Sequence, residues 1–301
     1  MSRKLLGDAA KPFVKWAGGK GQILSEIREK YPAKLGRGIN KYAEPFIGGG
    51  AVLFDVLNNF TLDEVYISDI NKELIHTYIT IRNSVDELCH VLSKYEKEYL
   101  PQDADARKEI YYGKRELFNS VKKHSDTSIE LAALFIFLNR TCFNGLYRVN
   151  SKGGFNVPQG SYKNPCIFDE SNIRAVSQKL QGVTIICGDY KLAADFIDDK
   201  TFAYFDPPYR PLSTTASFTA YAQDGFCDTA QAELASFINS MNDKGAHIVA
   251  SNSDPKNVDE QDNFFDILYA TYEISRIQAS RSINSNGAKR GKVRELLIAN
   301  G

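Results

Sequence analysis

Asp206-Pro207-Pro208-Tyr209 directly follows the short aromatic run Phe202 to Phe205. Two prolines stop a strand and hold the chain beyond it in a stiff, extended loop. Such a loop can offer two acceptors side by side, the Asp206 carboxylate and the Pro207 carbonyl, to the two hydrogens of an exocyclic aromatic amine. Tyr209 adds a ring on which an extruded base can stack. An aromatic amine is a poor nucleophile because its lone pair is delocalised into the ring. Acceptors drawing on both hydrogens favour the pyramidal form, which can attack a methyl carbon in line. A bare Asp-Pro-Pro also occurs in ordinary loops, so the tetrapeptide draws its weight from the rest of the chain.

A second group is Glu44-Pro45-Phe46-Ile47-Gly48-Gly49-Gly50, placed after a predicted strand and before an apolar run. Gly48 and Gly50 allow a sharp turn, and with no Cβ they let a cofactor approach beside Phe46. About twenty residues on, Asp69 ends the next strand, where an acid can accept hydrogen bonds from both ribose hydroxyls. A tight strand-to-helix turn with no ligand is the ordinary alternative. The dinucleotide pattern fits poorly, since Leu53 stands where a small residue closes it. Trp16-Ala17-Gly18-Gly19-Lys20-Gly21 is not a phosphate loop, because Lys20 is followed by Gly21-Gln22. A cationic nucleoside such as S-adenosylmethionine has no phosphates for such loops to hold.

The elements that must carry these groups follow from periodicity. Lys20 to Tyr31 predicts an amphipathic helix with Ile23, Leu24 and Ile27 on one face. Lys41 to Phe46, the apolar run Ala51 to Leu57 and Val65 to Asp69 make a β-loop-α-β unit. Lys72 to Tyr99, Ala104 to Val121 and Ile129 to Leu138 predict helices. Val183 to Cys187 and Phe202 to Phe205 predict strands, Thr229 to Asn242 a helix, and His247 to Ser251 and Arg294 to Ala299 further strands. The alternation predicts an α/β fold, a doubly wound, mainly parallel sheet with helices on both faces. The polar, helix-rich stretch from Asn71 to Pro165 interrupts it and reads as a second lobe.

The chain has 301 residues, enough for one large domain and a smaller one. Its 37 basic and 37 acidic side chains cancel, so any basic surface is local. Asn139 to Pro165 is such a place: Arg140, Arg148, Lys152 and Lys163 stand among Phe143, Tyr147, Phe155 and Tyr162 with no acid between them. Arginine can bond guanine bidentately, lysine neutralises phosphate, and a ring can wedge into a base stack. A solvated loop with its rings turned inward is the plainer reading. Ser275 to Arg294, also free of acids, reads as a basic hairpin around Asn286-Gly287 whose tip could grip a phosphate backbone. Five cysteines without a C-x-x-C pair argue against a disulfide framework or zinc knuckle and suit a reducing cytoplasm. The four histidines form no metal motif, so no metal is expected. No signal-peptide core or bilayer-length apolar run is present, and the expectation is a soluble, cytoplasmic protein without a membrane partner.

Taken together, Lys15-Trp16-Ala17-Gly18-Gly19-Lys20, Glu44 to Gly50, Ser68-Asp69-Ile70-Asn71, Asn144 to Asn150, Phe155-Asn156-Val157-Pro158 and Asp206 to Ser213 resemble the signature set of the Dam-type DNA adenine-N6 methyltransferases. These form the alpha group, or D12 class, and the likeness is nearest to the DpnM-type GATC enzymes. It runs in family order from about Phe13 to Asn300. It implies the S-adenosylmethionine-dependent methyltransferase fold and methyl transfer to adenine N6 in double-stranded DNA. The target implied is GATC, reached by base flipping. It makes Asp206, Pro207 and Tyr209 the catalytic group. Trp16, Lys20, Phe46, Gly48, Gly50, Asp69 and Asp206 hold S-adenosylmethionine, with Asp189 near its adenine. Residues 83–165 become an inserted target-recognition domain, and 1–82 with 166–301 the catalytic domain. Within the insert, Leu146, Arg148 and Pro158 read bases and Phe143 is the wedge. Arg140, Asn144, Asn150, Tyr162 and Lys163 complete the DNA-binding set. Pro211 to Gly225 is implied to be a mobile loop over the flipped base. A cognate restriction endonuclease in the same system, without a stable complex, is compatible with the family. Relatives often carry Arg where Ser161 stands, which puts one phosphate contact in doubt.

Two rivals stay open at this point. The acceptor pair suits any exocyclic aromatic amine, so cytosine N4 or an RNA base is a second target class, though Asp206 rather than serine leans toward adenine. The other is a DNA-binding protein that kept the fold without catalysis, which a cofactor titration would expose.

Overall fold

The computed structural model describes residues 9–124, 127–210, 226–280 and 292–301. The fold is α/β with a seven-stranded, mainly parallel sheet, as the alternation predicted. β1 (Lys41–Glu44) lies between β2 (Glu64–Asp69) and β4 (Thr201–Phe205), parallel to both. β5 (His247–Ser253) continues the sheet in parallel beside β4. β7 (Lys292–Ala299) then pairs antiparallel with β5, and β6 (Glu273–Ser280) antiparallel with β7. β3 is the short strand Thr184–Cys187. Every residue of β4, Thr-Phe-Ala-Tyr-Phe, is buried; the unbroken apolar run is what a central parallel strand requires. Because β1, β4 and β5 run the same way, the loops after Glu44, Phe205 and Ser253 leave the same edge. β1, flanked by β2 and β4, is where the strand order reverses, the usual place for a ligand crevice.

The described residues divide into two compact units. The first draws on Met1–Gly19, Gly48–Asn59 and Asp69–Cys187, the second on Lys20–Ile47, Phe60–Ser68 and Gly188–Gly301. The first unit is built around the helix Ile129–Thr141, in which Leu131 through Asn139 are all buried. A helix apolar on all sides must be surrounded, and Lys72–Asn83, Val85–Tyr99 and Ala104–Lys123 pack on it. In chain order the helices are α1 (Leu24–Arg28), α2 (Ala51–Asn59), α3 (Lys72–Asn83), α4 (Val85–Tyr99), α5 (Ala104–Lys123), α6 (Ile129–Thr141), α7 (Glu170–Lys179), α8 (Asp228–Asp243) and α9 (Phe264–Leu268).

Two predicted helices are broken. Lys20 to Tyr31 forms a 3-10 turn, Lys20–Gln22, and then only the five-residue α1. Ile23 between them leaves helical geometry (φ −114°, ψ 15°), and the turn carries Lys20 into a buried position. Lys72 to Tyr99 is two helices, because Ser84 at φ −142° ends α3 while its N–H bonds Thr80. Serine competes for backbone bonds and favours such junctions. α7, capped by the Asp169 side chain on the Asn172 amide, was not foreseen. β6 and β7 pair antiparallel, as the basic-hairpin reading requires; its expected tip around Asn286-Gly287 and the expected loop Pro211 to Gly225 fall on residues 281–291 and 211–225, outside the described residues. Among the described residues no helix is long and apolar enough to cross a membrane.

Candidate active site

In the second unit, β4 delivers Asp206 at its carboxyl end. Lys20 Nζ lies 2.8 Å from Asp206 Oδ1, and Ser251 Oγ donates to the same oxygen at 2.8 Å. Tyr204 Oη and Ser251 Oγ are 3.0 Å apart, one behind the other from the core outward. Lys20 is only 4% exposed, so the ion pair is largely shielded from water and strong only because its geometry is good. Tyr209 donates from its hydroxyl to Glu295 Oε2 at 2.8 Å, and the Lys20 ammonium sits 4.7 Å from its ring centroid. Burial, followed by the charges of Asp206 and Glu295, pushes the Tyr209 phenol far above its ordinary range, so it stays a neutral donor. Pro207 is buried and Pro208 exposed. Phe46 stacks on Tyr190 at 5.4 Å between centroids, with Phe226 edge-on. Asp189, just before Tyr190, is exposed and caps the turn by accepting from the Lys191 amide.

In the first unit, the glycine turn is tightly built. Gly48 has φ 46°, and a Cβ there would come 2.7 Å from the Trp16 indole. Gly50 has φ 73°, and its Cβ would meet the Tyr78 hydroxyl at 2.6 Å. That hydroxyl donates to the Gly48 carbonyl, while the Gly48 amide donates to Asp69 Oδ2 and the Asn71 amide to Oδ1. Burial raises the Asp69 carboxyl above the usual aspartate value even against these amide bonds. Next to Asp69, Ile70 is 66% exposed, an apolar side chain presented to solvent beside an acid.

The same unit carries the basic aromatic segment. Phe143–Gly145 is a 3-10 turn after α6, with Asn144 at φ 55°. A non-glycine residue in that region is strained, and such strain gathers at functional loops. Phe143 is 46% exposed at the turn, its amide bonded to the Pro158 carbonyl. Arg148 is exposed and its Nε donates to Asn156 Oδ1 at 2.8 Å. Asn150 closes the turn beyond it, accepting from the Lys152 and Gly154 amides. Leu146 is half-buried, while Asn144, Pro158 and Lys163 are exposed. Tyr162 lies under the Lys15 ammonium, 4.2 Å from the ring centroid. Thus 143–150 and 156–163 lie side by side, joined by the Phe143–Pro158 and Asn156–Arg148 backbone bonds. Arg140 is turned inward: its Nε donates to the Phe13 carbonyl, and burial lowers its pKa.

The model of the D12 class of N6 adenine-specific DNA methyltransferases matches residues 16–283 of this sequence. The chain belongs to this family. The methyltransferase is 49% identical over 292 residues to the type II methyltransferase M.MjaIII of Methanocaldococcus jannaschii, covering 96% of this chain and 99% of that one. It is 36% identical to M1.LlaDCHI of Lactococcus lactis subsp. cremoris, covering 96% and 95%. To the DNA adenine methylase of Escherichia coli K12 it is 35% identical, covering 95% and 93%. Its reaction is therefore methylation of adenine in DNA, and the cytosine-N4, RNA and non-catalytic rivals fall away.

In each unit, residues that no sequence motif marks hold the candidate groups. Ser251 and Glu295 hold Asp206 and Tyr209; the signal for Ser251 was Ser-Asn-Ser-Asp at the carboxyl end of a core strand. Asn139, 4% exposed, exchanges two hydrogen bonds with the Lys15 backbone and donates a third to the Gly145 carbonyl. It thereby seats the segment leading to Trp16 beside the Phe143–Gly145 turn. Glu73 receives Lys122 at 2.8 Å and the Tyr147 hydroxyl at 3.0 Å, and Tyr147 stacks on Trp16. Arg276 binds Asp254 and Asp266, and Arg294 binds Asp254 and Glu260, so these two brace the hairpin's base on acids of its own unit.

Proposed function

We propose that this methyltransferase takes its methyl group from S-adenosylmethionine and modifies N6 of an adenine flipped out of duplex DNA, within GATC. The observation that carries the reading is the convergence of Lys20 and Ser251 on Oδ1 of Asp206. With that oxygen committed, Oδ2 and the Pro207 carbonyl are the acceptor pair for the two amine hydrogens. The adenine stacks on the Tyr209 face turned away from Lys20. Holding the hydrogens this way localises the N6 lone pair for attack on the methyl carbon. As N6 gains the methyl, the carbon's bond to the sulfonium sulfur breaks, which would leave the neutral thioether S-adenosylhomocysteine, and the proton given up by N6 passes to solvent.

The acids offered to a cofactor, Asp69, Asp189 and Asp206, suit a cationic nucleoside rather than a nucleotide. The sequence expectation that Gly48 and Gly50 clear space for it is corrected, since the missing Cβ atoms make room for Trp16 and Tyr78 and so shape the turn that presents the Gly48 amide to Asp69. S-adenosylmethionine supplies an electrophilic methyl on a sulfonium. Asp69 holds the ribose, and Trp16, Lys20, Phe46 and Asp189 complete the set. Residues 83–165 act as the target-recognition domain. Arg148, Leu146 and Pro158 read bases, Phe143 is the wedge, and Asn144, Asn150, Tyr162 and Lys163 complete the DNA contacts. Arg140, bonded inward, supports this loop from behind.

Duplex DNA incubated with protein and labelled S-adenosylmethionine, then digested to nucleosides and mapped, tests the reading. Label in N6-methyladenine at GATC is expected. Modified adenine at an unrelated sequence would remove the GATC assignment, and no transfer from this donor would remove the cofactor.

A further inference from the structure

We propose that Arg210 is a positioning residue for methyl transfer, fixing the Asp206–Tyr209 turn through a clasp to Asp228 and Asp262. The inference rests on the reading that Asp206 and Pro207 receive the amine. The Arg210 guanidinium grips Asp228 with both ends of its fork, Nε to Oδ1 at 2.6 Å and Nη2 to Oδ2 at 3.0 Å. Its third nitrogen, Nη1, lies 2.6 Å from Asp262 Oδ2, and the group rests 4.3 Å from the Phe264 ring centroid. With both carboxylates and the ring engaged, and the side chain 17% exposed, this cation serves the protein.

The backbone of the turn is pinned with it. Gln231, fully buried on α8, donates from Nε2 to the Pro208 carbonyl at 3.1 Å. Asn252, 2% exposed on β5, accepts from the Arg210 amide and donates to Gln231 Oε1. Asp228 and Gln231 are neighbours on one face of α8, at i and i+3. The peptide planes on both sides of Tyr209 are thus fixed by buried, mutually bonded side chains, a rigid arrangement when fully satisfied. What that rigidity sets is where the Asp206 carboxylate and Pro207 carbonyl point, a few residues upstream. A displacement of about 1 Å in such a group slows a reaction by up to about a hundredfold. Lysine cannot replace the fork, because it presents a point charge.

Single-turnover methylation with saturating duplex and S-adenosylmethionine tests the clasp in Arg210→Ala, Arg210→Lys, Asp228→Ala and the double alanine variant. Lys41→Ala, which removes the Lys41–Asp198 ion pair in the same unit, is the control for lost stability alone. The expected result is transfer slowed at least about tenfold in Arg210→Ala, with duplex and donor affinities within about threefold of the unaltered protein. Lysine restores little, the double variant is no worse than Arg210→Ala, and Lys41→Ala transfers at the unaltered rate. Should Arg210→Ala fail to fold, Arg210→Lys and Asp228→Ala are read in its place. Unaltered transfer rates in these variants, or a loss confined to KM, overturn the proposal. Asp206→Ala run alongside separates the two claims. If it is active, the underlying reading fails; if it is inactive while the Arg210 variants transfer normally, only the clasp fails.

Discussion

At the scale of single residues, Asp69 ties the glycine turn to the donor's ribose on the proposed reading, and burial shapes its titration. Its carboxyl is raised, so on acidification it takes up a proton at higher pH than an ordinary aspartate. The stability sign follows: an acid whose folded pKa is raised penalises the folded state where it is ionised, and that penalty disappears as pH falls. Donor affinity should therefore begin to fall at a pH above the usual aspartate range. Asp69→Asn should bind more weakly and lose that pH dependence; an unchanged pH profile in the variant would count against the role. Gly50 gives a sharper steric case. With φ 73° and the Tyr78 hydroxyl 2.6 Å from any Cβ, Gly50→Ala should cost on the order of 2 kcal/mol in denaturant unfolding. A variant as stable as the parent would show that the turn can relax.

Among the elements, α6 unites packing with function. Its apolar residues fill the helical unit, while Asn139 near its end spends a buried amide on Lys15 and Gly145. Asn139→Ala leaves those backbone groups unsatisfied at a cost of about 1–3 kcal/mol. Hydrogen exchange at the Lys15 amide, which Asn139 accepts, should accelerate; unchanged protection would mean another group holds the segment. Asn139 also shows what the sequence could and could not disclose. The strands β1 to β5 and β7 were legible, β4 and β5 because their burial is continuous or nearly so and the short, half-exposed β3 because its residues are mostly apolar, and Asp206 and Gly48 because their motifs are local. The bends at Ile23 and Ser84 were not, since each depends on what the neighbouring turn must bury or cap. Nor were Asn139, Ser251 and Arg210, which bond Lys15, Asp206 and Asp228 at 124, 45 and 18 residues' distance along the chain. Polar residues of that kind become functional only when the fold brings their partners to them.

For the molecule as a whole, zero net charge leaves DNA binding to local cations. Lys152 and Lys163 are exposed in the segment free of acids. Replacing both by alanine should lower the slope of log affinity against log salt by about two, one released counterion per phosphate contact. An unchanged slope would place the phosphates elsewhere. On the proposed reading all of this serves one event, the capture of an adenine amine by Asp206 and Pro207 beside the methyl donor. Asp206→Ala, assayed for methyl transfer to duplex DNA and for DNA binding in the same preparation, tests that event most directly. The account predicts no detectable transfer with binding largely intact, and turnover retained in the variant would contradict it.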